Sequence, residues 1–313
     1  MHVVYLVVPC YNEEEVLPLT NSKLTEKLEQ LISAGKADEK SRILYVDDGS
    51  KDKTWELITK FHQECGSVAG LKLAHNAGHQ NALLAGLMYA KDHADCAISL
   101  DADLQDDIDV IDDFLTHYSE GCEVVYGVRK KRDTDTFFKR FTAESFYKLM
   151  QSLGLEIVYN HADYRLMGKN ALKALSEFRE VNLFLRGIVP LIGFKSAKVY
   201  YDRKERAAGE SKYPFKKMLQ FAIEGITSFS VKPLKIISNL GIVISLLSSL
   251  GLLYALISYF TGNAVPGWTA IVCSIWLLGG IQLFCIGIVG EYIGKIYSEV
   301  KARPRYIIEK DLN

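Results

Sequence analysis

Two carboxylates and an amide stand close together in Leu100-Asp101-Ala102-Asp103-Leu104-Gln105-Asp106. The acids are spaced i, i+2, which puts them on one side of an extended chain. Two hard oxygen ligands, with Gln105 as a third, suit a divalent cation such as Mg²⁺ or Mn²⁺. Such ions keep positions open for substrate phosphates, so Asp101, Asp103 and Gln105 form a candidate metal–diphosphate site. Asp106 and Asp107 suit the positive first turn of a following helix.

These residues need a scaffold. An apolar run, Cys96-Ala97-Ile98-Ser99-Leu100, leads straight into the acids and reads as a buried strand. Acids just past a strand's end face the crevice where α/β sheets bind ligands. Four more strands are expected, at 3–8, 42–46, 68–73 and 123–127, with helical patterns between them. The first ends at Pro9-Cys10-Tyr11-Asn12-Glu13-Glu14-Glu15, where Asn12 can cap a helix and the glutamates favour its first turn. The second ends at Asp47-Asp48-Gly49-Ser50, and Asp52 reads as the next helix start. The third gives way to His75-Asn76-Ala77-Gly78-His79-Gln80. Strands alternating with helices imply a doubly wound, mainly parallel sheet whose strand ends converge on one cleft. No GxGxxG follows any strand and no GxxxxGK[ST] occurs, which argues against a dinucleotide dehydrogenase and a P-loop NTPase.

Composition sets further bounds. The 313 residues carry a net charge of −1, which gives no case for a nucleic-acid partner. Six scattered cysteines form no CxxC pair and read as reduced thiols. From Ile236 to Gly290, 55 residues contain no Asp, Glu, Lys, Arg or His. A bilayer-crossing helix needs about 20 apolar residues, so this stretch predicts two spans joined by a short turn at 261–267. Lys232 and Lys235 precede it; Lys295, Lys301, Arg303 and Arg305 follow it. The positive-inside rule then puts both ends in the cytoplasm and the turn outside, a multi-pass protein of the cell membrane. Met1-His2-Val3 enters a strand directly, with no signal-peptide pattern. The expected organisation is a cytosolic catalytic domain at 1–213, a juxtamembrane amphipathic helix at 214–232, two spans within 233–293 and a cytosolic tail at 294–313. Gly279-Gly280, Gly287 and Gly290 permit close helix contacts and hence a homo-oligomer.

Several motifs carry a resemblance. Val8-Pro9-Cys10-Tyr11-Asn12-Glu13, Val46-Asp47-Asp48-Gly49-Ser50, Asn76-Ala77-Gly78-His79-Gln80 and the acidic stretch at 101–106 resemble family 2 glycosyltransferases of the GT-A fold. With Asp163-Tyr164-Arg165-Leu166, the segment Arg206 to Tyr213 and the paired spans, the chain is most similar to the polyprenyl-phosphate glycosyltransferases. These include dolichyl-phosphate mannose synthase and the bacterial undecaprenyl-phosphate glucosyl- and aminoarabinosyl-transferases. The resemblance implies a nucleotide-sugar donor held by Pro9, Tyr11, Glu13, Asp48, Asn76 and Asp101. Asp47 is left to brace its loop. It also implies an inverting transfer to a polyprenyl phosphate, UDP-glucose being the first-choice donor and UDP-N-acetylglucosamine the second. A flippase and a further glycosyltransferase would act on the product.

The acceptor would need cations beside the membrane. Arg129, Arg132 and Lys139 lie before and within a basic, aromatic stretch at 137–147, and Lys212 and Arg206 lie in a lid-like segment. The helical pattern at 214–231 has an apolar stripe suited to an interface. A lipid phosphate is already anionic at neutral pH, so a general base is not strictly required. Asp163 is open between a base and a positioning residue. Two other readings stand beside this one. A processive polysaccharide synthase would carry QxxRW, which Asn182-Leu183-Phe184-Leu185-Arg186-Gly187 does not match. A non-enzymatic, membrane-anchored nucleotide-binding protein would need no acidic set.

Overall fold

A computed structural model describes residues 1–130, 161–181, 184–202, 232–261 and 267–313. These fall into two compact units. One holds 1–130, 161–181, 184–202 and 303–313; the other holds 232–261 and 267–302.

The first unit is the expected α/β, mainly parallel sheet of a GT-A fold. Its strands are β1 (Val4–Cys10), β2 (Arg42–Asp47), β3 (Val68–Leu73), β4 (Cys96–Ser99), β5 (Val124–Arg129), β6 (His161–Gly168), β7 (Ser196–Tyr201) and β8 (Ile308–Leu312), in the order β7-β5-β6-β4-β1-β2-β3-β8. All seven residues of β1 are buried, as a β-branched run covered on both faces should be. β1 pairs in parallel with β2 and β4, and β2 with β3, so the loops after β1, β2, β3 and β4 open at one sheet end. Helices α1 (Leu17–Ser33), α2 (Thr54–Glu64), α3 (His79–His93), α4 (Ile111–Ser119), α5 (Lys169–Ser176) and α6 (Leu185–Leu191) complete the described part of this unit.

The local readings need three corrections. α1 begins at Leu17 without a side-chain cap, so Asn12 does not cap it. Asn12 adopts φ +53°, and its Oδ1 accepts from Lys51 N–H at 2.9 Å, while Glu14 Oε2 accepts from Lys53 N–H at 3.0 Å. These polar residues stitch the loop after β1 to the loop after β2. Second, Asp106 does not serve a helix start, as shown below. Third, β6 and β7 are strands. The charges of Asp163 and Arg165 interrupt the apolar pattern of β6, which nonetheless lies antiparallel between β4 and β5. Arg165 is the register partner of Ser99, so β6 carries Asp163 to the end of β4, where the acidic loop begins.

The expected tail also has structure. β8 pairs antiparallel with β3 and forms the sheet's outer edge. Ala74 N–H donates to the Ile307 carbonyl at 2.9 Å, and Lys72 Nζ lies 3.0 Å from Glu309 Oε2. Arg305 donates to the carbonyls of Phe178 (3.1 Å) and Glu180 (3.3 Å). Deleting 303–313 should leave the β3 edge unpaired, an open template for aggregation. The expected result is a melting temperature lower by about 5 °C or more, with new aggregate on size exclusion of the detergent-solubilised protein.

The second unit contains two long helices, α7 (Lys232–Phe260) and α8 (Trp268–Lys301). Among the described residues one stretch, Leu277–Lys301, is long and apolar enough to cross a membrane, and none of it is buried. Leu234–Ile244 is apolar but shorter, so by this measure the described residues supply one span where two are expected. Side chains such as Leu246, Leu283 and Phe284 are more than 60% exposed. Residues 262–266 of the expected turn, the basic, aromatic stretch at 137–147 and the amphipathic helix at 214–231 lie outside the described residues.

Candidate active site

The loops after β1, β2 and β3 enclose a cleft of about 200 Å³. Pro9, Tyr11, Glu13, Asp48 and Asn76 line it together, joined by His79 from the start of α3. Gly49 makes this convergence possible. It has φ +67°, and a Cβ there would stand 2.7 Å from the backbone of His75 and Asn76. Only glycine lets the two loops approach so closely.

Both acids at the end of β2 brace loops, Asp47 its own as expected and Asp48 the next one. The Asp48 carboxylate accepts from Ala77 N–H at 2.6 Å and Gly78 N–H at 3.0 Å, fixing the 75–78 loop. Asp47 Oδ1 accepts from Ser50 N–H at 3.2 Å, while Oδ2 is buried without a partner. Burial pushes both carboxyls above their ordinary value. Cys10, which also lines the cleft, is a free thiol pushed up by burial.

The acidic loop lies beyond β4. Leu104 takes φ +51°, which folds the loop tightly enough for Gln105 N–H to reach Asp103 Oδ1 at 3.2 Å. Thr20 of α1 donates its hydroxyl to the Ala102 carbonyl at 2.6 Å. Among the described residues no three His, Cys, Asp or Glu side chains form a ready metal cage. Asp101, Asp103 and Gln105 still fit a hard divalent ion held by one or two carboxylates, with the remaining positions left to phosphate oxygens and water. Burial pushes the Asp101 carboxyl up to about 6; nearby Asp106, Asp163 and Asp103 add to this, against the pull of His79. Acids gathered in this way are relieved by a cation.

Asp163 sits in a cage of cations. Arg165 Nη2 donates to its Oδ1 at 2.6 Å, and Arg186 of α6 donates from Nε to Oδ1 at 3.2 Å and from Nη2 to Oδ2 at 3.0 Å. Arg165 is 1% exposed. Burial would raise the Asp163 carboxyl, but Arg186 and Arg165 outweigh it and hold it well below the usual carboxylate range. Nε2 of His79 lies 3.8 Å from both Asp101 Oδ1 and Asp163 Oδ2, so it bridges the cleft to both acids. Gln80 Oε1 accepts from Leu185 N–H at 3.0 Å and so docks α6 beside α3.

Arg129, at the end of β5, is engaged with Asp106 and Tyr201. Arg132, Lys139, Arg206 and Lys212 lie outside the described residues. His79, Arg186, Asp106 and Tyr201 were not legible as site residues. His79 had one signal, its place after Gly78 at a helix start. Arg186 was visible only as a failed match to QxxRW.

Sequence comparison assigns two parts of the chain to known families. Residues 5–176 match Glycosyl transferase family 2, and residues 232–296 match the GtrB C-terminal hairpin. The chain is 58% identical over 310 residues to the "Uncharacterized glycosyltransferase YkoT" of Bacillus subtilis (strain 168), covering 99% of this chain and 92% of that protein. It is 40% identical over 309 residues to the prophage bactoprenol glucosyl transferase homolog of Escherichia coli (strain K12), covering 97% and 98%. Among solved structures, the mannosyltransferase PcManGT from Pyrobaculum calidifontis, in complex with GDP-Man and Mn²⁺, aligns over 93% of this chain and 87% of its own. Its identity is 14% and its TM-score 0.43.

Proposed function

We propose, from the premise that the chain belongs to glycosyl transferase family 2, that it transfers a sugar from a nucleoside-diphosphate sugar to a polyprenyl phosphate. UDP-glucose is the first-choice donor, UDP-N-acetylglucosamine the second, and undecaprenyl phosphate the acceptor. The observation that carries this reading is the cleft. Five side chains suited to a nucleotide sugar line it together, and its His79 stands beside Asp101 of the acidic loop. The near-full-length likeness to a bactoprenol glucosyl transferase homolog supports the lipid-phosphate acceptor.

In this reading Tyr11 walls the base, Glu13 accepts from sugar or ribose hydroxyls, and Asp48 keeps Asn76 in reach by fixing its loop. Asp101, Asp103 and Gln105 hold Mg²⁺ or Mn²⁺. A bound ion screens the diphosphate and stabilises the charge that develops on the leaving nucleoside diphosphate. A phosphate monoester has a second pKa of about 6, so the acceptor arrives as an anionic nucleophile and needs no base. Asp163, with both oxygens on guanidiniums, is then a positioning residue for Arg186. In-line attack by the lipid phosphate inverts the anomeric carbon without a covalent enzyme intermediate. Arg129, with Arg132, Lys139, Arg206 and Lys212, gathers the two anionic substrates.

Both ends of the helical unit connect to the same catalytic domain, since β8 returns to its sheet. That supports a hairpin crossing the cell membrane twice, with the domain in the cytoplasm. A flippase and a second glycosyltransferase would use the product. The test supplies radiolabelled UDP-sugars one at a time to membranes containing the protein, undecaprenyl phosphate and Mg²⁺ or Mn²⁺. One donor should give lipid-extractable label; no label with any donor sinks the proposal.

A further inference from the structure

The carboxylate just after the metal loop has no part in the chemistry described so far. Asp106 is 5% exposed and turns away from the helix that follows it, toward the ends of β5 and β7. Arg129 Nη2 donates to Asp106 Oδ1 at 3.2 Å, and the Tyr201 hydroxyl donates to the same oxygen. Arg129 Nε donates to the Tyr201 hydroxyl oxygen at 3.3 Å, closing a ring of three groups. The register sets this up: Arg129 and Tyr201 are partners in the parallel β5–β7 pair. Tyr201 is 2% exposed and meets Tyr164 edge-on, with centroids 5.5 Å apart. The Tyr164 hydroxyl donates to the Asp107 carbonyl at 3.0 Å, so the acidic loop is held at that point as well.

A buried ion pair is a poor source of stability, because desolvation offsets its attraction; its best use is to fix geometry. Here it fixes a guanidinium. A guanidinium has five N–H donors, and the ring uses two of Arg129's. Among the described residues the others have no hydrogen-bond partner, and they suit an anion. Asp106 meanwhile is one residue from Gln105, and the backbone of its loop is held independently by Thr20 and Tyr164.

We propose that Asp106 and Tyr201 are positioning residues for the acceptor: they hold Arg129 at a fixed reach from the acidic loop. One carboxylate thereby sets the distance between the cation that receives the lipid phosphate and the site that receives the donor's diphosphate. This inference rests on the lipid-phosphate reading above. Arg129 is not a spare cation in it, and its pairing with Asp106 orients it without using it up.

The test uses full-length protein in detergent, with Asp106→Asn and Tyr201→Phe as variants. Tyr201→Phe keeps the packed ring and removes only the hydroxyl, so it reports even where Asp106→Asn fails to fold. In both, the KM for undecaprenyl phosphate should rise about 10-fold, as expected when a contact group is misplaced. The affinity for Mn²⁺·UDP, read by calorimetry without any turnover, should stay within about threefold of wild type. An unchanged acceptor KM overturns the inference. So does a loss of Mn²⁺·UDP affinity that tracks a fall in melting temperature, since that marks a brace for the loop alone. If wild type transfers nothing to a lipid phosphate, the acceptor reading itself falls, and this inference with it.

Discussion

Asp103→Asn should lower turnover by about 10²–10³-fold, the usual loss when a group that stabilises transition-state charge is removed. The melting temperature should stay near that of wild type. Asp103 is partly exposed, and its loop keeps the Thr20 bond to Ala102 and the Tyr164 bond to Asp107. Asp101→Asn should lose as much activity, and its pH behaviour makes the reason testable. The Asp101 carboxyl is pushed up to about 6, first by burial and then by neighbouring acids. A folded value above the unfolded one means that the stability linked to this group is present at low pH and lost as pH rises through about 6. Cation binding runs the other way, because a protonated carboxyl is a poor ligand. Mn²⁺·UDP affinity should therefore fall as pH drops through about 6, while the ligand-free domain becomes slightly more stable. Calorimetric titration and thermal melts between pH 5 and 8 would read both slopes. If either substitution left turnover near wild type, the metal assignment would be wrong.

Asp163→Ala should cost about 3–5 kcal/mol of stability, because it leaves the buried Arg165 guanidinium without its counter-ion. Urea unfolding would measure this. The double variant Asp163→Ala, Arg165→Met should recover much of the loss, since it removes both charges together. The pH sign also differs from that of Asp101. Asp163 has a folded value below the unfolded one, so its contribution is complete above the ordinary carboxylate range and is lost only in strong acid. It therefore adds no acid limb to a pH–rate profile near neutrality. A positioning role further predicts that Arg186→Ala lowers turnover about as much as Asp163→Asn, because the pair acts as a unit. A base would lose its function only in the Asp163 variant.

The acidic loop, the five N-terminal strands and the charge-free stretch were all readable from the chain. Each is a local signal. A buried parallel strand must be a continuous apolar run, as Val4–Val8 is, and acids after such a run face the cleft whatever the rest of the fold does. The 55 residues without a charge are visible without a structure, but the one stretch long and apolar enough to cross a membrane among the described residues is Leu277–Lys301. β8 gave no such signal. Ile308-Glu309-Lys310-Asp311-Leu312 is an edge strand with charges in its middle, and it becomes a strand only because β3 offers it a row of backbone partners.

The same division runs through the site. Residue type and position in a motif picked out Pro9, Tyr11, Glu13, Asp48 and Asn76, which line the cleft together, because these residues stand at or just after strand ends. That Asp48 also braces the 75–78 loop was decided by backbone N–H groups 29 and 30 residues away, which no local pattern marks. The partners of Asp163 and Asp106 depend on strand order and register. Arg186 reaches Asp163 because Gln80 docks α6, and Tyr201 reaches Asp106 because β7 lies in register with β5. Sequence alone therefore put Asp101, Asp103 and Gln105 in one loop just past the end of β4. The tertiary structure decided which cations and hydroxyls surround them, because charge pairing acts through space and leaves no periodic trace along the chain.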